Sequence, residues 1–356
     1  MDVVQHQYWD GINHPYKMLD KHYCEKSWNL VKQNKISVWG SFEPVNVSKE
    51  IDWNIDPFQN DTWAFYFNGL NWLYSYLWAV DNLDEKPDRI FEIVSQYEKH
   101  INGGNPNKMV WFDHATSDRL SIFTVLSLHP CINSASSDFQ SMLQQLIVQH
   151  VDKIIQFKDS KNWINSNHGI FHALALLNAS MLEFVKNERP SIKQDALDYL
   201  SDTLLSILSI EESFSLEQSA YYHQLAISLL QSLEAKYLEA IGINKKEFIE
   251  RMKDVNYWLS KNDRKLIAMG DTSVISNVDE ENITKYKPKL MAATFEETGF
   301  SVVKYMSTKG WNNFSFLHHS DRAPHGHFDA LSITLSKDNK EFIIDSGGPY
   351  RYGNPL

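Results

Sequence analysis

Between about residues 60 and 270 the apolar side chains recur with a helical period, and from about residue 293 onward they recur with the period of strands. This switch constrains the fold more than any other feature. A 3.6-residue period buries one face of a helix, whereas a two-residue period buries one face of a strand. Leu143, Ile147, Val151, Ile154 and Ile155 fall on one helical face. So do Ile170, Leu174, Leu177, Met181 and Val185, and again Leu197, Leu200, Leu204, Ile207 and Leu208. Breaks fall at Gly103-Gly104-Asn105-Pro106, at Pro130 and at Pro190. Consecutive amphipathic helices joined by short polar loops predict helical hairpins stacked in a ring or solenoid, without a clear sequence repeat.

The later segments alternate. Gly299–Tyr305, Asn313–His318 and Leu331–Ser336 read as strands, and Asp338-Asn339 as a turn before Glu341–Asp345. The expected class is α+β in two domains. Residues 1–55 form an irregular N-terminal segment, 56–275 a helical domain, 276–292 a polar linker, and 293–356 the start of a β domain. Four or five strands are few, so further strands or a helical cover are expected to bury both faces.

A chain of 356 residues is long enough for two cores. The formal net charge of −11 argues against non-specific nucleic-acid binding. Residues 300–356 differ, with six basic against five acidic side chains, so an anionic ligand could be received there. Eleven Trp residues suit either sugar stacking or large core packing. Two cysteines, Cys24 and Cys131, make no disulfide framework, and no 18-residue apolar run predicts a membrane span. The first residues lack a basic start followed by an apolar stretch, so no signal peptide is expected. That leaves a cytoplasmic chain or one whose leader has been removed.

Chemistry concentrates in four places. Four of the fourteen histidines, His318, His319, His325 and His327, fall within ten residues, with Arg322 among them. In an extended segment His325 and His327 point the same way, and the next strand returns Asp345. That is half of a zinc site, a hydrogen-bonded loop, or a catalytic imidazole. Asn167-His168, preceded by Trp163, opens a helix, where free N–H groups and the helix dipole favour anions; a simple helix cap is the plainer alternative. Glu217 leads a run ending in Tyr221-Tyr222-His223, which supplies phenols and an imidazole, or only a helix start with Tyr in the core. Trp111-Phe112-Asp113-His114 precedes Arg119, which either pairs structurally with Asp113 or Asp118 or clamps a carboxylate.

Taken in order, these segments resemble the heparinase II/III-like polysaccharide lyases, a group that includes heparinase III and oligo-alginate lyases. The landmarks are Trp63, Trp72 and Trp78, then Trp111–His114, Asn167-His168, Glu217–Ser219 with Tyr222-His223, His325–Asp329, and Asp345–Gly348. The resemblance implies an incomplete (α/α) toroid followed by an antiparallel β-sandwich. It also implies β-elimination on a uronic-acid-containing glycan, so the implied partner is an acidic polysaccharide or oligosaccharide. Asn167 and His168 match the carboxylate neutralisers, Tyr222 the acid/base, and His325 a base. His327 and Asp345 match two zinc ligands. Trp111, His114, Arg119, Trp163, Glu217, Tyr221, His223 and Arg322 are the expected substrate contacts. The family's third metal ligand lies further into its β domain than Leu356, which implies a truncated member. Family members are often periplasmic or secreted.

Two other classes compete. One is a glycan-binding or assembly protein that keeps the fold without turnover. The other is an (α/α)-barrel glycoside hydrolase, which needs a carboxylate pair such as Glu217 and Asp113.

Overall fold

The computed structural model describes residues 21–38, 42–104, 106–158, 166–261, 264–273, 277–280, 290–318 and 331–345. The chain divides into two compact units, Met1–Trp163 with His168–Tyr199, and Ile164–Asn167 with Leu200–Leu356.

The first unit is helical. It holds α1 (Lys21–Val31), a short antiparallel pair β1 (Lys35–Ile36) and β2 (Val45–Asn46), α2 (Asp61–Gly69), α3 (Tyr74–Leu83), α4 (Asp88–Ile101), α5 (Asp113–Leu128), α6 (Ser137–Lys158), α7 (His168–Ala179) and α8 (Glu183–Glu188). The unit boundary falls within α9 (Ile192–Ile207). Helix α5 packs on α2, α6 and α7. It is buried from His114 to Leu126, and α7 from Gly169 to Ala179. Helices enclosed on all sides carry apolar residues all round, so their one-sided period is weak. The apolar row from Ile170 to Val185 is not one helix. It is interrupted after Ala179, and Met181 is 36% exposed. By contrast α6 behaves as an amphipathic surface helix, burying Leu143, Ile147, Val151 and Ile154.

Asn60 stops the chain from fraying before α2. Its Oδ1 accepts from Thr62 N at 2.9 Å and Trp63 N at 3.1 Å. A cap of this kind contributes about 1 kcal/mol. Behind it lies an aromatic core. Trp63 stacks on Phe67 at 4.9 Å between ring centroids, and Trp53 meets Tyr97 edge-on at 4.8 Å. Trp63, Trp72 and Trp78 are all buried, so these tryptophans fill the interior rather than present a face to sugar.

The second unit joins helices to a sheet. It holds the antiparallel pair β3 (Leu208–Ser209) and β4 (Phe214–Ser215), then α10 (Ala220–Ser232), α11 (Ala235–Ala240) and α12 (Lys245–Leu259). The sheet follows: β5 (Leu290–Phe295), β6 (Phe300–Ser307), β7 (Gly310–Leu317), β8 (Ile333–Lys337) and β9 (Lys340–Ile343), all antiparallel and in chain order. Phe214, Ala220, Val255, Leu259, Phe300, Val302 and Leu317 share one core. The last helices therefore pack with the sheet, and the second compact unit takes in Leu200–Leu356. Part of the expected linker is also tied down. Val278 is buried, and Gln224 holds Asn277 O and Asp279 N.

Within β6 and β7, Phe300, Val302, Ser315 and Leu317 face the core. The opposite face carries Tyr305, Phe314 and Ile333, each at least 36% exposed. Lys304 is the exception on the covered side. It is buried, sits 4.6 Å over the Tyr257 ring, and donates to the carbonyls of Tyr257 and Ser260 at the end of α12. These carbonyls close a helix end, where intrahelical donors are missing.

Candidate active site

In the helical unit the candidate groups gather at the starts of α5 and α7. Asp113 is the first residue of α5 and His168 the first of α7. His168 Nδ1 lies 3.0 and 3.2 Å from the two Asp113 oxygens. Asp113 Oδ1 also accepts from the His114 backbone N–H at 2.7 Å. Burial raises the Asp113 carboxyl, but His168, then His172 and the backbone N–H, outweigh it and hold the group well below the ordinary carboxylate range. Attraction at this separation is worth on the order of 4 kcal/mol before desolvation in a partly solvated site. The N-terminus of α7 opposes a cation on His168 by at most about 2 kcal/mol.

Rings enclose this pair. Phe112 meets His168 edge-on at 5.9 Å, His114 lies 5.0 Å from it, and Phe171 packs on His114 at 4.0 Å. His114 is pushed well below its ordinary value by burial and by His168, and burial holds His172 at about 4. Both stay neutral near pH 7. Trp111 is half-buried, 5.1 Å from His150 and 5.6 Å from the Arg119 guanidinium.

Arg119 lies in the interior. It is 0% exposed and donates to the carbonyls of Asn68 (2.8 Å) and Val110, and from Nε to His150 Nε2 at 3.0 Å. The expected carboxylate clamp gives way to a structural role, since these donors already have acceptors.

In the second unit Asn167 is 4% exposed, and its backbone N–H donates to Glu217 Oε1 at 3.2 Å. Its side-chain Oδ1 is buried and accepts from nothing among the described residues. The amide therefore does not cap a helix as Ser219 caps α10, where Oγ accepts from Tyr222 N at 3.4 Å. Glu217 is buried. Gln218 holds a left-handed backbone at φ 53°, a conformation that costs a non-glycine residue about 1 kcal/mol or more and concentrates at functional sites. Tyr222 stands half-buried in the first turn of α10, and Tyr221 beside it is 43% exposed.

His223 is overturned as a substrate contact. Its ring is fully buried, Nδ1 accepts from Ser215 N at 3.2 Å, and Nε2 donates to Met252 O at 2.9 Å. Burial holds it at about 4.

Trp163, Arg322, His325 and His327 lie outside the described residues. Asp345 accepts a hydrogen bond from Ser332 Oγ at 2.6 Å. Among the described residues no three His, Cys, Asp or Glu side chains gather as a metal site. No helix among them is long and apolar enough to cross a membrane. Reading the sequence left Asp113 unassigned as a partner of His168. The available signal was an acidic residue opening one buried helix and a histidine opening another.

No family model matches this sequence, and no curated protein matches it. Solved structures do. The heparan sulfate lyase HepC from Pedobacter heparinus superposes with a TM-score of 0.56 at 16% identity, over 94% of this chain and 57% of that one. A mutant of the same lyase gives 0.59 at 15% identity. The heparinase III BT4657 gene product, with methylated lysines, gives 0.58 at 15% identity over 92% of this chain and 58% of that one. The fold is thus that of the heparinase III-like proteins, a helical toroid followed by an antiparallel β domain. The chain spans a little under three fifths of the length of these structures.

Proposed function

We propose that the protein is a polysaccharide lyase, a carbon–oxygen lyase that cleaves an acidic, uronic-acid-containing glycan by β-elimination. The observation that carries this reading is the buried Asn167 amide, whose oxygen has no partner among the described residues. It immediately precedes His168 in a fold shared with heparan sulfate lyases. A buried polar atom without a partner costs about 1–3 kcal/mol, and such an expense fits a group reserved for a ligand.

The chemistry requires such groups. The proton at C5 of a uronate is not acidic while the neighbouring carboxylate is charged. In this reading Asn167 and His168 neutralise that carboxylate and stabilise the enolate-like intermediate. His325 removes the C5 proton on one face, and Tyr222 protonates the leaving glycosidic oxygen or serves as base on the other face. Trp111, Trp163, Tyr221, His114, Glu217 and Arg322 line or support the sugar site. Zinc held by His327 and Asp345 belongs to the same reading as a structural ion in the β domain, outside the elimination steps.

The test is incubation with heparan sulfate, alginate, hyaluronan and bacterial capsular glycans, followed by ultraviolet absorbance of the unsaturated uronate end. Absorbance that disappears in Tyr222→Phe supports the reading. Glycan bound without any absorbance assigns a non-catalytic binder instead, and reducing ends without absorbance assign a hydrolase.

A further inference from the structure

We infer that Asp113 is a positioning residue that keeps His168 a fixed cation at neutral pH, so that the pair rather than His168 alone sets the charge offered to an anionic sugar. The inference deepens the lyase reading but rests on geometry that stands without it. Both oxygens of Asp113 lie within hydrogen-bond distance of His168 Nδ1, and the two side chains are only 23% and 26% exposed. Contact with both oxygens fixes the Nδ1 proton and the ring plane. With Nδ1 protonated in this way, the imidazolium's other proton sits on Nε2.

Asp113 is itself prepared for the role. It opens α5, where the helix dipole favours a carboxylate, and the His114 N–H holds one of its oxygens. Titratable groups described beside His168 include Asp113 and His114 from α5, and His172 from its own helix. His114 and His172 are both held neutral by burial, so neither adds a competing positive charge near pH 7. Asp113 is charged where these two imidazoles are neutral, and its sign favours the imidazolium.

Histidine side-chain NMR on the full chain tests this directly. In the native protein His168 is expected to titrate above the ordinary histidine value of about 6.5. In Asp113→Asn it is expected to fall by one unit or more, with the folded spectrum kept elsewhere. Asp113→Glu, which keeps the charge, is expected to recover at least part of the shift. A native His168 that titrates at or below about 6.5, or one unmoved in Asp113→Asn, overturns the inference. The titration of the native protein decides even if Asp113→Asn does not fold. None of these readouts needs turnover, so a protein without lyase activity leaves them intact. If turnover is found, the alkaline limb of its pH profile should move acidward in Asp113→Asn by the same amount as the His168 titration. An alkaline limb that stays in place while that titration moves would remove the pair from the chemistry.

Discussion

Arg119 and His150 are locked together inside the helical unit: Arg119 Nε donates to His150 Nε2 at 3.0 Å, and His150 Nδ1 donates to the Leu146 carbonyl at 2.7 Å. The imidazole must be neutral to accept from the guanidinium, and burial together with Arg119 pushes its titration well down.

Arg119→Met should therefore destabilise the fold rather than weaken glycan binding. It leaves His150 Nε2 and the carbonyls of Asn68 and Val110 without their donor. A loss of about 3–5 kcal/mol is expected, seen as a lower urea midpoint. Unchanged stability with weaker substrate binding would restore the clamp.

Asn167→Ala should separate stability from activity. Removing an amide whose oxygen has no described partner leaves the urea midpoint unchanged or higher. Turnover should fall by about 100-fold or more if the amide stabilises the transition state. A large loss of stability with activity retained would contradict both halves.

Ser219→Ala should lower stability by about 1 kcal/mol through the lost cap of α10. The same hydroxyl lies 3.0 Å from Thr272 Oγ1, and Thr272 Oγ1 accepts from Tyr221 N at 3.0 Å. The turn presenting Tyr222 should loosen with it, and amide exchange at residues 219–223 measures that directly. Exchange unchanged in this turn would show that the cap does not hold it.

Lys304 should give stability a positive pH slope on the alkaline side. Burial lowers it to about 7, whereas an unfolded lysine holds its proton to about 10.4. Between those values the unfolded chain binds more protons, so stability rises with pH. The effect amounts to a few kcal/mol at about 1.4 kcal/mol per unit. Urea midpoints at pH 7, 8 and 9 should climb, and Lys304→Met should flatten the climb.

His172 and His223 act in the acidic window. Each is held at about 4, below the unfolded value of about 6.5. Their contribution is present above about pH 6.5 and lost as the pH falls toward 4. His223→Gln should reduce the acid sensitivity measured between those limits, and an unchanged acid limb would remove His223 from the account.

The helical segment was legible because α6 and α9 expose one face, so their apolar rows follow the helical period. Helices α5 and α7 were less so, because burial on all sides erases the contrast between faces. The strand alternation also read correctly from Phe300 to Leu317, where one face meets a core. The change of period near residue 275 marks a change of element, while the core shared by α12 and the sheet runs across it. The site was legible in residue types but not in pairings. Asp113 and His168 lie 55 positions apart, and no local pattern joins them. Arg119 and His223 were expected as substrate contacts from residue type and family resemblance, yet both satisfy their nitrogens internally.

The strands β5 to β9 pair strictly with their chain neighbours. Each pairing therefore closes a short loop, apart from the longer excursion between β7 and β8. Loop closure costs little entropy at such separations, and local contacts speed folding. The described strands can zip up in the order of synthesis, each templating the next, with β8 waiting only for the excursion before it.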